Sequence, residues 1–191
     1  MIEDATVIYR WQGPPAIELL RGRAVLPSGL TYTAHWMVTG DGRSGVVVCA
    51  LRDEDLLFVH SPRPAVGETL LELPRGFGDA NSAGPTDDAV RELREETGHA
   101  ASSATHIAEY LTDTSVLPSS VHVVLCTVDL DIPAAPTDGE TAGIRWVPLR
   151  DVGGLIEAGV LRDGHTLAAL ATIARLWATP SPLPSGLPRE Q

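Results

Sequence analysis

The chain has 191 residues, 25 acidic residues, 14 basic residues that are all arginine, and a formal net charge of −11 at pH 7. This length fits one globular domain with a small accessory segment, and the 43% hydrophobic content is that of a folded chain. Because the acidic balance leaves no basic surface, it excludes binding to nucleic acid and to anionic membranes, and an anionic substrate would need a metal cation to mediate its contact.

The first 42 residues alternate weakly between apolar and polar residues and have Gly and Pro at their turns. This pattern predicts three short strands, over Thr6–Trp11, Ile17–Leu26 and Leu30–Val38. We expect residues 1–42 to form a small antiparallel β unit that precedes the main domain.

Residues 43–178 hold the remaining strand and helix patterns and are expected to form the main domain. A polar turn joins the first two strands, Val46–Leu51 and Leu56–His60, as a hairpin. Further strands are predicted over Leu70–Leu73, Ala108–Leu111, Val121–Leu130 and Ile144–Pro148, and helices over Val152–Ala158 and Thr166–Trp177. Residues 179–191 are rich in Pro and are expected to form an extended tail.

The best-marked helix lies between these strands, over residues 86–97. Thr86 is a suitable N-cap, and Asp87 and Asp88 place negative charge in the first turn, where the helix dipole favours it. Gly98 is the expected stop. The residues expected to face inward are Ala89, Val90, Leu93 and Thr97.

Three glutamates share one face of this helix. Glu92, Glu95 and Glu96 stand at positions i, i+3 and i+4, where like charges repel. In one interpretation they form a solvated acidic face, with Arg91 paired to Glu95 and to Asp87. In the other they bind a divalent cation such as Mg²⁺, which prefers carboxylate oxygens together with substrate phosphate and water. The strand that ends at Pro74 and enters a Gly-rich loop supports the second interpretation.

The segments ELPRG (residues 72–76) and RELREETG (residues 91–98) together resemble the Nudix box of the Nudix hydrolase family. The interval between them is one residue longer than is usual in the family. Ala83 stands where the family has a glutamate that supports the box arginine, and Asp79, Asp87 or Asp88 is expected to substitute for it.

The resemblance implies a Nudix fold, an α/β/α sandwich with a mixed sheet, in addition to the N-terminal β unit. It also implies that Glu92 and Glu96 bind Mg²⁺, or alternatively Mn²⁺, with the carbonyl of Arg75 as a third ligand. Glu95 would be a further ligand or the base that activates water, and Arg91 would orient the glutamates. The reaction implied is hydrolysis of a nucleoside diphosphate linked to another moiety.

Further segments are similar to the ADP-ribose and nucleotide-sugar pyrophosphatases within the family: RPAVG (residues 63–67), Pro118 and EAGVLRDGHTLAALATIAR (residues 157–175). By this resemblance Glu140 is the candidate general base, with Asp138 in reserve, unless the segment is only a polar turn. Arg63 would hold a terminal phosphate or be a surface arginine.

The same resemblance extends to the substrate and the assembly. Glu72 is placed with the substrate-binding residues, and Trp11 and Trp36 are candidates to flank an adenine. A homodimer formed through residues 1–42 is expected.

The functional expectation is therefore a pyrophosphohydrolase that acts on ADP-ribose or a nucleotide sugar. Because Ala83 replaces the box glutamate, the alternative is a catalytically weak or inactive module that binds a nucleotide or metabolite.

Cys49 and Cys126 lie in apolar runs and are expected to be buried, reduced thiols. No segment reaches the roughly 20 apolar residues of a membrane span and no secretory signal is evident, so a cytoplasmic location is expected.

Overall fold

The computed structural model describes residues 1–177, so the tail predicted over residues 179–191 lies outside the described residues. The chain begins with a three-stranded antiparallel sheet of β1 (Ile2–Trp11), β2 (Ile17–Val25) and β3 (Thr31–Thr39). The three strands predicted there are confirmed, and β2 is the central one.

The seven later strands form a second sheet. They are β4 (Gly45–Arg52), β5 (Asp55–Arg63), β6 (Glu68–Glu72), β7 (Arg75–Phe77), β8 (Ala101–Asp113), β9 (Leu117–Val128) and β10 (Ile144–Pro148). The main order is β10-β5-β4-β9-β8, and β6 pairs with β5 while β7 pairs with β4. Because β4 is parallel to β9 and antiparallel to β5 and β7, the sheet is mixed, as expected.

Three helices cover the two faces of this mixed sheet: α1 (Pro85–Thr97), α2 (Leu149–Glu157) and α3 (Gly164–Trp177). Alternate residues of β4 point to opposite faces, as the two-residue period of a strand requires. Val48 packs in a cluster with Leu93 of α1, whereas Val47 packs in a cluster with Ile173 of α3. The α/β/α sandwich expected from the sequence is therefore confirmed.

The structure corrects the predicted start and orientation of α1. The helix begins at Pro85, with Gly84 rather than Thr86 as N-cap, because proline suits the first helical position, where its missing N–H needs no partner. Val90 is 37% exposed instead of inward, since the buried side of α1 follows Ala89 and Leu93. Gly98, with φ 74°, ends the helix as predicted.

Two strand predictions are also corrected. Arg75–Phe77, expected to be a loop, forms the short strand β7 because its backbone pairs with β4 from Gly45 to Val47. β8 is much longer than the predicted Ala108–Leu111, since it pairs with β9 over nearly its whole length, with register shifts.

Both cysteines are buried and free, which confirms the expectation of reduced thiols. Within residues 1–177, no helix has the length and apolar character needed to cross a membrane.

Candidate active site

A cavity of about 1280 Å³ is lined by residues from both sheets, from α1 and from the start of α3. Most residues singled out in the sequence line this one cavity: Trp11, Arg63, Arg75, Arg91, Glu92, Glu95, Glu96, Asp138 and Glu140. Trp36 is not part of the lining and packs beside Gly22 of β2 instead. Glu72 lies behind the cavity wall with no exposed surface.

Two of the three helix glutamates are buried against β7. Glu92 is 8% exposed and Glu96 is 6% exposed, so the solvated acidic face is the wrong interpretation for both. The Arg75 amide donates to Glu96 Oε2 at 3.3 Å. At Gly76 a Cβ would lie only 2.1 Å from Glu92 Oε1, so glycine is the residue that lets β7 approach this carboxylate.

Burial raises the pKa of both carboxyl groups because it disfavours their charged forms. The pKa of Glu92 rises to about 6, although the Arg91 guanidinium opposes the rise. The pKa of Glu96 rises to about 8 through burial and the nearby charge of Glu92. When both groups are ionised, the nearby arginines therefore compensate only part of their negative charge.

A divalent cation fits the pair. Mg²⁺ is commonly bound by one or two carboxylates together with substrate phosphates and water. Among the side chains of residues 1–177, no group of three or more His, Cys, Asp and Glu forms a metal site. The protein would thus supply the carboxylates of Glu92 and Glu96, and the substrate would supply further oxygens.

Arg91 connects the third glutamate with β7 and the buried pair. Its Nη1 donates to Glu95 Oε2 at 2.6 Å, as the i, i+4 spacing predicted. Its Nη2 donates to the Phe77 carbonyl at 2.7 Å and lies 2.8 Å from Glu92 Oε1. The Glu95 side chain remains 45% exposed, so it can meet both substrate and water.

Asp88 occupies the place next to Arg91 where a further carboxylate was expected. It is buried, its Oδ1 accepts the Asp79 amide at 2.8 Å, and it lies 3.8 Å from Arg91 Nη2. Asp87 is exposed, and the predicted Arg91–Asp87 pair is replaced by the contact with Asp88. Arg91 Nε is buried and has no hydrogen-bond partner within residues 1–177.

Replacing Asp88 with asparagine is expected to raise the half-saturating Mg²⁺ concentration, or lower kcat, about 10- to 100-fold. Residues that orient metal ligands typically have effects of this size. Steady-state kinetics across a Mg²⁺ titration measure both quantities. The control is Asp87→Asn, which changes an exposed residue in the same helical turn. Adding Ala83→Glu to the Asp88 variant is expected to restore part of the loss. Equal kinetics in the two asparagine variants would contradict the role of Asp88.

Glu72 anchors two arginines at the cavity wall. It forms an ion pair with Arg63 Nη2 at 2.6 Å and with Arg75 Nε at 3.1 Å. Arg75 also lies 3.6 Å from Asp163. Because Glu72 is buried, it can act on a molecule in the cavity only by holding these guanidinium groups, and Arg63 is half-buried rather than a free surface residue.

The loop after β9 brings Asp138 and Glu140 to the cavity. The Asp138 amide donates to the Glu95 carbonyl at 3.0 Å, and the Glu140 amide donates to the Asp138 carboxylate at 2.9 Å. Thr141 Oγ1 donates to the Glu96 carbonyl at 2.9 Å. The loop is thereby attached to the end of α1, beside the buried glutamates.

The sequence did not single out His165, which also lines the cavity. The Tyr110 hydroxyl lies 2.8 Å from His165 Nδ1. Burial and the Arg75 guanidinium lower the pKa of His165, so its ring is neutral near pH 7. The only sequence signal for His165 was its position within residues 157–175, the segment that resembles the pyrophosphatases, and that resemblance assigned it no role.

The sequence profile of the NUDIX domain matches residues 42–170. The chain is 30% identical to the ADP-ribose pyrophosphatase of Bacillus subtilis (strain 168) over 128 residues, which cover 65% of this chain and 69% of that protein. It is 29% identical to the ADP-sugar pyrophosphatase of Mus musculus over 141 residues, which cover 66% and 64%. The chain thus spans about two thirds of the length of these relatives.

A third relative and a solved structure are also similar to this chain. The ADP-ribose pyrophosphatase of Mycobacterium tuberculosis is 27% identical over 144 residues, which cover 72% of this chain and 70% of that protein. The crystal structure of an ADP compounds hydrolase superposes with a TM-score of 0.75 at 20% identity, and covers 93% of this chain and 92% of its own. At this identity the superposition shows a shared fold.

Proposed function

The chain belongs to the Nudix hydrolase family, and we propose that, as a Nudix pyrophosphohydrolase, it cleaves the diphosphate bond of ADP-ribose or a nucleotide sugar with Mg²⁺ or Mn²⁺. The single observation that supports this most is the pair Glu92 and Glu96, which lie buried on α1 against Gly76 and Arg75 of β7 and still line the cavity. The names of the relatives support the substrate class.

The residues of the chain have separate roles in this proposal. Glu92 and Glu96 hold the cation, which when bound supplies positive charge to the diphosphate oxygens and makes a water molecule more acidic. Arg91 keeps the Glu92 carboxylate in place through its contacts with β7. The carbonyl of Arg75 remains the proposed third ligand.

Hydrolysis also needs a group that accepts a proton from the attacking water. As the water oxygen bonds to one phosphorus, the bridging P–O bond breaks and its electrons leave on the second phosphate. Glu95 and Glu140 both line the cavity and are the proposed acceptors, with Asp138 in reserve. Arg63 is proposed to approach a substrate phosphate while Glu72 holds its guanidinium.

A substrate panel tests the proposal. Purified protein with Mg²⁺ is incubated with ADP-ribose, nucleotide sugars and dinucleoside diphosphates, and the products are identified by mass spectrometry. We expect two monophosphate products from ADP-ribose or a nucleotide sugar. Absence of turnover across the panel would refute the proposal, and ligand-dependent thermal stabilisation without turnover would instead support the binding module.

The metal-free protein is expected to lose stability as the pH rises from about 4.5 to 8. The folded-state pKa values of Glu92 and Glu96 lie above the ordinary 4.5, so over this window the folded state binds more protons than the unfolded state. The free energy of unfolding that the protonated Glu92 and Glu96 contribute at low pH is therefore lost as they ionise. The loss is on the order of a few kcal/mol.

Urea unfolding in EDTA at pH 5 and pH 8 measures this loss. Mg²⁺ at pH 8 is expected to restore part of it, because the cation binds the ionised folded state. Glu96→Gln is expected to reduce the pH dependence, since its side chain does not titrate. An unchanged pH dependence in that variant would contradict the assignment to Glu96.

We also propose a homodimer formed through residues 1–42 and a cytoplasmic location. β1 exposes several large apolar residues that a partner would cover, among them Ile2, Ile8 and Tyr9. The free thiols of Cys49 and Cys126 suit a reducing compartment. Light scattering coupled to size exclusion tests the assembly, and a monomer at micromolar concentration would refute it.

A further inference from the structure

We infer that His165 binds substrate, and that its Nε2–H donates a hydrogen bond to a hydroxyl of the sugar linked to the nucleoside diphosphate. This inference rests on the proposed function, because it concerns the same cavity and the same substrate class. It assigns a substrate contact to the start of α3, a part of the chain outside the segments that hold the metal-binding glutamates.

The position of His165 is fixed by contacts on both sides of it in the chain. Asp163 Oδ2 accepts the Thr166 amide at 2.8 Å, and Asp163 also pairs with Arg75. Thr166 is fully buried, and its Oγ1 accepts the Leu73 amide at 3.0 Å. The segment before β7 and the start of α3 are thus joined directly, so the His165 backbone cannot move without breaking buried hydrogen bonds.

Tyr110 fixes the ring of His165 and its tautomer. Tyr110 is half-buried, and its hydroxyl oxygen lies 2.8 Å from His165 Nδ1. The other acceptor within reach of this hydroxyl is the His165 carbonyl oxygen, at 3.5 Å. Because Nδ1 is the nearer acceptor, we assign the hydroxyl proton to the bond with Nδ1, and a neutral imidazole then carries its own proton on Nε2. Since the side chain lines the cavity, this leaves Nε2–H as the donor for a bound molecule.

The charges around His165 favour an uncharged partner. Two cations, Arg63 and Arg75, are paired with two anions, Glu72 and Asp163, on the same side of the cavity. Because these charges balance and the imidazole is neutral, His165 itself adds no positive charge for a phosphate, unlike the guanidinium of Arg63. A sugar hydroxyl is the uncharged acceptor that the proposed substrates contain.

The position of α3 favours the sugar that is not part of the nucleoside. Trp11, the candidate adenine contact, belongs to the N-terminal sheet, whose β3 packs against β9. α3 packs against β4 and β8 instead. With the adenine at Trp11 and the diphosphate at Glu92 and Glu96, the start of α3 is a part of the lining that is assigned to neither group, and we assign it to the second sugar.

Two substrates that differ in this sugar test the inference. ADP-ribose has the second sugar, whereas ADP ethyl ester keeps the adenosine and the diphosphate but lacks it. With Mg²⁺, His165→Ala is expected to raise KM for ADP-ribose about 3- to 10-fold, the size of one neutral hydrogen bond, and to change kcat by less than about twofold. KM for the ethyl ester is expected to stay unchanged.

Three further variants separate binding from structure. Tyr110→Phe is expected to raise KM for ADP-ribose by a smaller factor, because the ring loses its orienting partner. His165→Gln is expected to recover part of the loss, since its amide can donate from a similar place. His106→Ala, an exposed histidine outside the cavity lining, is the matched control and should behave as wild type.

The outcomes keep the two proposals distinct. If the wild type hydrolyses ADP-ribose but His165→Ala has the same KM, the inference is wrong and the proposed function stands. Equal KM increases for both substrates would also overturn the inference, because the effect of His165 would then not depend on the second sugar. If the wild type hydrolyses neither compound, nor any member of the panel, the proposed function fails and this inference fails with it.

Discussion

Replacing Glu96 with glutamine is expected to lower kcat/KM about 100- to 1000-fold while the fold is retained. In the proposed function, several kcal/mol of transition-state stabilisation depend on a cation held at this carboxylate, and each 1.36 kcal/mol corresponds to a factor of ten in rate. Glutamine keeps the size of the side chain and an acceptor for the Arg75 amide, which lies 3.3 Å from Glu96 Oε2. The loss should therefore come from the missing negative charge.

Kinetics, thermal unfolding and Mg²⁺ titration should be measured on the same preparations of this variant. Without metal the variant is expected to be at least as stable as wild type at pH 8, because it no longer buries an ionised group. Glu157→Gln, on the exposed side of α2, is the matched control and should be fully active. Wild-type kcat/KM in the Glu96 variant would refute the proposed site.

Replacing Gly76 with alanine is expected to lower kcat/KM about 100-fold, although no functional side chain is itself replaced. The added Cβ would lie 2.1 to 2.4 Å from the Glu92 carboxylate, far inside van der Waals contact. Either Glu92 rotates away or β7 separates from β4, and in both cases the carboxylate leaves its position. A displacement of about 1 Å is enough for an effect of this size.

The control for this prediction is Gly153→Ala, in α2. A Cβ at Gly153 meets no atom within 4 Å, and alanine is the better helix former there. We expect the control to be active and slightly more stable than wild type, whereas the Gly76 variant should lose Mg²⁺ affinity together with activity. A Gly76 variant with normal Mg²⁺ affinity would show that β7 does not hold Glu92 in place.

The elements that the sequence predicts well are those with strong local signals. The end of α1 at Gly98 follows from a residue that tolerates φ 74°. The β4 and β9 strands were predicted by apolar runs, which a buried parallel pair requires on both faces. The ion pair of Arg91 with Glu95 follows from helix spacing alone.

The predictions that failed depend on partners distant in sequence. Periodicity placed Val90 on the inner side of α1, but the neighbouring β7 makes the side with Glu92 and Glu96 the buried one. β7 itself was assigned to a loop because the preceding strand ends at Pro74 and a Gly-rich segment follows, and only pairing with β4 makes Arg75–Phe77 a strand.

No local signal distinguished the remaining residues of the candidate site from their neighbours in the sequence. Asp88 looked like one of two equivalent first-turn acids, and only the fold distinguishes it from Asp87 by burying it beside Arg91. His165 has no neighbouring ligand residue in the sequence, and Tyr110, which orients it, lies 55 positions away. Such pairs are defined by tertiary packing, which one sequence does not display.

The residues that line the cavity come partly from one short stretch of the sequence and partly from segments far from it. The groups assigned to the reaction on β7 and α1, from Arg75 to Glu96, form one short continuous stretch, whereas Trp11, Thr112, Ser119 and His165 lie far from it in the sequence. Under the proposed function, substitutions in those distant segments can change the cavity wall that meets the substrate while the stretch from Arg75 to Glu96 stays the same. We therefore expect them to change which substrates bind more than whether the diphosphate bond is cleaved.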